Sequence, residues 1–186
     1  MIALIDIQNM FYNVYIKATP IEIFETWLYE NNDIESILGN ELYFDLLNIN
    51  YRDKHAIFEV EKFILPYIDF GRSEFLRITA LLKSIDGEKG DIYSIMSQMY
   101  DDYCSGYYFL RYLAFSFITS GFEEEIGIDG IRKNLLNFKN KYKNEAKRLL
   151  GFIKKGELVI TDKFIYEDFR KEKDRIELNH IERMMR

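Results

Sequence analysis

The chain has 186 residues, enough to bury one substantial hydrophobic core. Its composition, with 48% hydrophobic and 30% charged residues, is that of a globular protein and excludes a disordered or collagen-like chain. The single cysteine, Cys104, excludes an internal disulfide, and no secretory signal pattern is found at Met1, so a reducing, cytoplasmic setting is expected.

The net charge of −6 is unevenly distributed along the chain. Residues 1–130 contain 9 Lys and Arg against 22 Asp and Glu, a balance of −13, whereas residues 131–186 contain 16 against 9, a balance of +7. An acidic surface repels nucleic acid and attracts basic partners. We therefore expect a basic protein partner. The rival interpretation is nucleic-acid binding through the basic strip formed by Lys139, Lys141, Lys143, Lys147 and Arg148.

The first segment fits either a short strand at Ile2–Ile7 followed by a helix or one continuous amphipathic helix. If Ile2–Ile7 is a strand, Asp6 and Asn9 resemble the opening of PIN-like and NYN-type ribonucleases, in which acidic residues at strand ends hold a divalent metal. Such a site needs several converging oxygen ligands, and Asp162 follows the next candidate strand, Leu158–Thr161. A metal-dependent nuclease using Asp6 and Asp162 is therefore an alternative function. In a helix, Asp6 and Asn9 simply face solvent.

Helical spacing of apolar residues dominates from residue 19 to residue 66. Thr19 and Pro20 predict a helix start, Gly39 predicts a stop, and Asn40 is a candidate N-cap for the helix that follows. A further helix is predicted to end near Pro66, since proline disfavours the helical conformation of the preceding residue.

Three runs in this region, Ile23–Glu30, Ile34–Gly39 and Glu41–Leu47, resemble the openings of small bacterial immunity proteins. The resemblance covers about residues 20 to 66 and lies mainly in core positions. Members of that class are acidic helical proteins that neutralise a cognate toxin by binding it. The resemblance therefore implies a non-enzymatic protein that blocks a basic bacterial toxin, and it brings no catalytic motif.

The most apolar stretch is Tyr107–Thr119, in which Arg111 is the only charged residue. A helix that is apolar on every side must be surrounded by protein, and thirteen residues are too few to cross a bilayer. We therefore predict a buried central helix. The helix before it should start at Asp91, a good N-cap, after a turn at Asp86–Gly90.

After Gly121, one long helix is predicted from Ile131 to about Lys155. Leu158–Ile160 is the best strand candidate, and a charged final helix is expected around Ile176–Met184. The predicted fold is therefore all-α: a single domain of eight or nine helices around the buried central helix, with at most a small strand or hairpin near the C-terminus.

The sequence offers no recognisable catalytic or metal-binding motif. His55 and His180 do not lie at metal-ligand spacing to each other or to Cys104, and neither a phosphate-binding loop nor a nucleophile elbow occurs. Cys104 is expected to be a small buried thiol. No enzyme activity, cofactor or metal is predicted.

The contact surface for the partner is predicted on two acidic clusters that flank the central helix. Tyrosines beside carboxylates suit an interface, because rigid rings supply contact area while charges give direction. Two alternatives compete: the carboxylates could pair internally with Arg111 and the basic C-terminal region, or contact could lie on the acidic helices around Glu30 and Asp45. The predicted contact residues are Tyr100, Asp101, Asp102, Tyr103, Glu123, Glu124 and Glu125.

Overall fold

Helices build most of the molecule. The computed structural model describes residues 2–86, 91–121 and 127–176. These ranges contain ten α-helices, namely α1 (Leu4–Tyr15), α2 (Ile21–Glu30), α3 (Asp33–Leu38), α4 (Asn40–Leu47), α5 (Ala56–Ile64), α6 (Phe70–Asp86), α7 (Ile92–Ser105), α8 (Arg111–Thr119), α9 (Ile128–Asn137) and α10 (Lys139–Lys154). None of these described helices is long and apolar enough to cross a membrane.

Two short strands, β1 (Leu158–Asp162) and β2 (Ile165–Asp168), pair antiparallel as a hairpin. The all-α prediction, with at most a hairpin near the C-terminus, is therefore confirmed. Short 3-10 helices occupy Leu65–Tyr67, Tyr108–Leu110 and Glu172–Asp174. The predicted turn at Asp86–Gly90 and the predicted final helix at Ile176–Met184 lie almost wholly outside the described residues.

The chain divides into two compact units, Met1–Ser73 (unit 1) and Glu74–Arg186 (unit 2). Each unit has its own cluster of buried apolar side chains. In unit 1, aromatic rings fill the middle of this core: Phe24 meets Phe11 edge-on at 6.0 Å and stacks on Trp27 at 5.8 Å. The single-domain organisation stays a prediction.

The first segment of unit 1 is a helix and not a strand. The Asp6 carboxylate accepts a hydrogen bond of 3.1 Å from the main-chain N–H of Ala3, which satisfies one of the donors left over at a helix start. Asp6 is exposed in the first turn of α1. The strand interpretation is therefore wrong, and with it the strand end on which the resemblance to PIN-like ribonucleases depended.

The predicted stop at Gly39 is confirmed by the backbone between α3 and α4, whereas Asn40 is not an N-cap, because it is the first residue of α4 and Gly39 is the N-cap. Gly39 has φ +84° and ψ 154°, a conformation that is essentially restricted to glycine. It ends α3 and lets α4 begin at the next residue, so the two helices follow each other without a loop.

The predicted central helix is shorter than its apolar run. The chain passes Gly106 at φ +140°, makes the 3-10 turn Tyr108–Leu110, and only then enters α8. Leu113 and Ala114 are fully buried, as predicted, whereas Tyr108 is 57% exposed. The prediction of one helix from residue 107 is therefore wrong at its N-terminal end.

Tyr107 explains the early break, because its side chain is fully buried and its hydroxyl is hydrogen-bonded to two distant residues. Its hydroxyl lies 2.9 Å from Glu74 Oε2, to which it donates, and accepts a hydrogen bond of 3.0 Å from the Phe164 main-chain N–H. A Cβ atom on Gly106 would lie 2.7 Å from the Phe164 carbonyl oxygen. The hairpin turn therefore packs directly on the backbone that leads into Tyr107.

The predicted long helix from Ile131 is interrupted at Phe138, which separates α9 from α10. Phe138 has φ −108° and ψ 12°, outside helical values. The break inserts neither glycine nor proline, and apolar spacing continues across it from Leu135 to Tyr142, both of which are buried. That continuity is why the spacing predicted one helix.

Candidate partner-binding site

The predicted contact residues around position 101 lie at the end of α7. Asp101 is exposed, and Tyr100 and Tyr103 are half-buried. The Tyr103 ring meets the exposed Tyr108 edge-on at 5.8 Å. The other predicted cluster, Glu123, Glu124 and Glu125, lies outside the described residues.

Asp102 belongs to the interior of unit 2 and not to its surface. It is 2% exposed, and its two oxygens accept hydrogen bonds of 2.9 and 2.8 Å from the Arg77 guanidinium. Arg77 also contacts Glu74 at 2.7 Å. The sequence alternative of internal pairing is therefore correct for Asp102, but its partner is Arg77 on α6 and not Arg111.

This buried cluster holds two carboxylates and one guanidinium. Burial raises the pKa of Asp102 above its ordinary range, and the nearby charge of Glu74 adds to that effect, although the hydrogen bonds from Arg77 oppose it. Burial works against the charge of Arg77, but its hydrogen bonds to Asp102 and Glu74 raise its pKa. The cluster therefore links α6 to α7 through Arg77 and Asp102, and the buried Asp102 and Glu74 offer no exposed charge to a partner.

The expectation of a buried Cys104 is wrong, because its side chain is exposed. The buried residues of α7 are Ile92, Met96, Met99 and Asp102. Cys104 follows Asp102 by two residues, which is about 200° around a helix. The thiol therefore lies on the solvent side of α7.

The two carboxylates of the nuclease alternative are both exposed, Asp6 in α1 and Asp162 at the end of β1. Within residues 2–86, 91–121 and 127–176, no group of three or more His, Cys, Asp and Glu side chains could hold a metal ion.

The basic strip on α10 is partly used internally, because Arg148 contacts the buried Glu145 at 2.7 Å and donates to the Asp174 carbonyl oxygen.

The net negative charge of the chain lies in unit 1. Residues 1–73 contain 12 Asp and Glu against 5 Lys and Arg, a balance of −7, which leaves +1 for the rest of the chain. None of those twelve carboxylate side chains is buried. This distribution agrees with the alternative placement of the contact around Glu30 and Asp45.

A groove of about 430 Å³ runs between α4 and the end of α5 with its following 3-10 turn. We call it the acidic groove. Glu41 and Asp45 lie one helical turn apart on α4, so their side chains share one face, and Phe44, 50% exposed, lies beside them. The lining residues are Leu38, Gly39, Asn40, Glu41, Leu42, Asp45, Lys62, Phe63, Pro66 and Tyr67.

The opposite wall of the acidic groove is aromatic. Tyr67 is 39% exposed there, and the Lys62 ammonium lies 6.0 Å from the centre of the Phe63 ring. Lys62 therefore brings one positive charge to this wall, opposite the two carboxylates of α4. The groove combines carboxylates with aromatic rings, the two kinds of group that bind guanidinium and ammonium ions.

Sequence reasoning reached Asp45 but missed the groove. The spacing of Glu41 and Asp45 is visible in the sequence, opposite the buried face formed by Leu42 and Leu46. The aromatic wall about twenty residues later cannot be inferred without the packing of α5.

Comparison of the chain with protein-family models, curated proteins and solved structures found no match.

Proposed function

We propose that the chain is a non-enzymatic binding protein that captures a basic protein through unit 1, and that it acts as an immunity protein by neutralising a basic bacterial toxin. The observation that carries this proposal is that all twelve carboxylates of unit 1 reach the surface, two of them in the acidic groove. The resemblance to immunity proteins, over residues 20 to 66, supports the same unit.

The two features of unit 1 have different parts in the proposed capture. The overall negative charge attracts a basic partner over a distance and raises the association rate, an effect that salt screens. The acidic groove takes up an Arg or Lys side chain of the partner, and removal of its carboxylates would speed dissociation.

The experiment uses the product of the neighbouring gene as the candidate toxin. Growth of bacteria that express this product is measured with and without the chain, and purified proteins are compared by surface plasmon resonance. The groove variant is Glu41→Lys/Asp45→Lys. The matched control is Glu22→Lys/Glu59→Lys, on α2 and α5, which changes the net charge of unit 1 by the same amount at exposed positions outside the groove.

We expect the wild-type chain to restore growth and bind the toxin, the groove variant to lose protection through faster dissociation, and the control to be slowed mainly in association. No protection and no binding by the wild-type chain would contradict the immunity proposal. Equal losses in both variants would show that charge alone, without the groove, determines capture.

A further inference from the structure

A pocket lined by arginines lies wholly within unit 2, beside β2, and the proposed capture of a basic protein does not use it. Its volume is about 200 Å³, below the roughly 300–1,000 Å³ of pockets for drug-sized ligands, so it suits a small molecule. The charged and hydroxyl-bearing residues that line it are Tyr108, Arg111, Tyr166, Asp168, Arg170 and Arg175.

Extended backbone brings three of these residues together. Side chains alternate along a strand, so Tyr166 and Asp168 lie on one side of β2, while the more exposed Ile165 and Glu167 lie on the other. Arg170 follows Asp168 by two residues, and its Nε and Nη2 atoms donate to the two carboxylate oxygens at 2.9 Å each. Arg170 is only 5% exposed, so this fork fixes its guanidinium in the wall of the pocket.

The other two arginines are held by main-chain carbonyl oxygens. After the 3-10 turn Glu172–Asp174, the Arg175 Nη2 atom donates to the Asp168 carbonyl oxygen at 3.0 Å. From the start of α8, the Arg111 Nη1 atom donates to the Ile176 carbonyl oxygen at 3.2 Å. The three guanidinium groups are therefore positioned by the fold itself, which lowers the entropy cost of binding a ligand between them.

The side chains that line the pocket carry three positive charges and one negative charge, a balance of +2. Burial raises the pKa of Asp168, but hydrogen bonds from Arg170 and the charge of Arg175 lower it by more, so its carboxylate is ionised at physiological pH. A phosphate monoester carries roughly −1.5 to −2 at pH 7, whereas a single carboxylate carries one negative charge. The lining therefore matches the charge of a phosphate group better than that of a carboxylate.

The pocket also retains hydrogen-bond donors. Arg170 uses Nε and Nη2, and Arg175 uses Nη2, on Asp168; within the part of the chain that the structure describes, the Nη1 atoms of these two arginines have no hydrogen-bond partner. Burial and the Asp168 charge raise the pKa of Tyr166, although Arg170 and Arg111 oppose this, so its hydroxyl keeps the proton that it can donate. Guanidinium groups match phosphate oxygens in both charge and shape.

We propose that this pocket binds the phosphate group of a small phosphate monoester. The Nη1 atoms of Arg170 and Arg175 and the Tyr166 hydroxyl donate to the phosphate oxygens, and Arg111 adds positive charge. The Tyr108 ring, which is 57% exposed, contacts the organic part of the molecule.

The test compares four probes on the whole chain at physiological ionic strength: phenyl phosphate, inorganic phosphate, benzoate and phenol. Binding is followed by nuclear magnetic resonance titration of the protein amides. Phenyl phosphate is expected to shift the amide signals of Asp168, Arg170 and Arg175. Inorganic phosphate lacks the ring and benzoate lacks the second charge, so both are expected to bind more weakly, and phenol is expected to leave these signals unchanged.

The variant Arg175→Gln removes one charged donor, and we expect phenyl phosphate to bind about tenfold more weakly, because hydrogen bonds to charged groups are the stronger ones. The matched control is Arg132→Gln on α9, which removes the same charge outside the pocket. The Arg132 side chain also contacts aspartates and is 38% exposed, against 44% for Arg175. We expect the control to bind phenyl phosphate as the wild type does.

Four results would overturn the proposal: no binding of phenyl phosphate, shifts confined to other regions, binding of benzoate or inorganic phosphate as tight as that of phenyl phosphate, or equal weakening in both variants. The comparison of probes on wild-type protein decides even if Arg175→Gln fails to fold.

Discussion

The two units differ in whether any of their carboxylates are buried. In unit 1 all twelve carboxylate side chains are at least partly exposed. In unit 2 Glu74, Asp102 and Glu145 are buried, and each lies against an arginine. The contrast teaches that a carboxylate in the sequence does not by itself mark a contact surface. In unit 2 the buried Asp102 joins α7 to Arg77 on α6, whereas every carboxylate of unit 1 reaches solvent.

The largest effect that separates the units is expected from Arg77→Met. This change leaves Glu74 and Asp102 buried without their cation, and breaking a buried ion pair costs about 3–5 kcal/mol. The unit 1 counterpart, Glu59→Gln, alters an exposed carboxylate and should change stability by less than about 0.5 kcal/mol. Urea denaturation of both variants measures the two changes in the free energy of unfolding. Similar losses of stability in both variants would contradict the difference between the units.

A second comparison uses one glycine from each unit. Gly106→Ala should cost about 1–3 kcal/mol for its φ of +140°, plus the clash of the new Cβ with the Phe164 carbonyl oxygen at 2.7 Å. Gly39→Ala also places alanine at a positive φ, but its Cβ would meet nothing within 4 Å. Thermal melts should therefore rank Gly106→Ala as the more destabilising change. The reverse order would show that the hairpin turn can move away from the new Cβ atom with little loss of stability.

The pH dependence of stability should differ between two aspartates of unit 2. Because the folded pKa of Asp102 is raised by burial, its contribution to stability is fully present below the ordinary pKa of about 4 and is lost as pH rises through the folded value. Burial opposes the charge of Asp168, but hydrogen bonds from Arg170 lower its pKa. Its contribution is therefore present above the ordinary value and is lost as pH falls.

Urea denaturation of Asp102→Asn and Asp168→Asn from acidic to neutral pH measures these contributions. The stability difference between wild type and Asp102→Asn should shift against the wild type as pH rises. The difference for Asp168→Asn should shift in favour of the wild type over the same change. Parallel pH profiles for the two variants would contradict the assigned directions.

Local signals in the sequence predicted local structure well. Asp91 caps α7 through hydrogen bonds from the N–H groups of Tyr93 and Ser94, because an N-cap acts on residues two and three positions ahead. Gly39 ends α3 for a similarly local reason. The break at Phe138 was missed because neither glycine nor proline marks it and the apolar spacing continues across it.

Contacts between distant residues could not be predicted in the same way. Asp102 bonds to Arg77, 25 residues earlier, and Tyr107 bonds to the hairpin turn 57 residues later. The sequence showed that a buried charge would need a partner. It did not show which arginine the packing of the helices would place beside it. The same limit applies to the acidic groove. The sequence shows that Glu41 and Asp45 share one face of a helix, but it does not show which residues form the opposite wall.

The most direct test of the central claim, that the acidic groove of unit 1 receives cationic side chains, is isothermal titration of the chain with a short oligoarginine peptide at physiological ionic strength. We expect binding by wild type, similar binding by Glu22→Lys/Glu59→Lys, and a loss of binding by Glu41→Lys/Asp45→Lys. Wild-type affinity in the groove variant, or equal weakening in both variants, would contradict the claim.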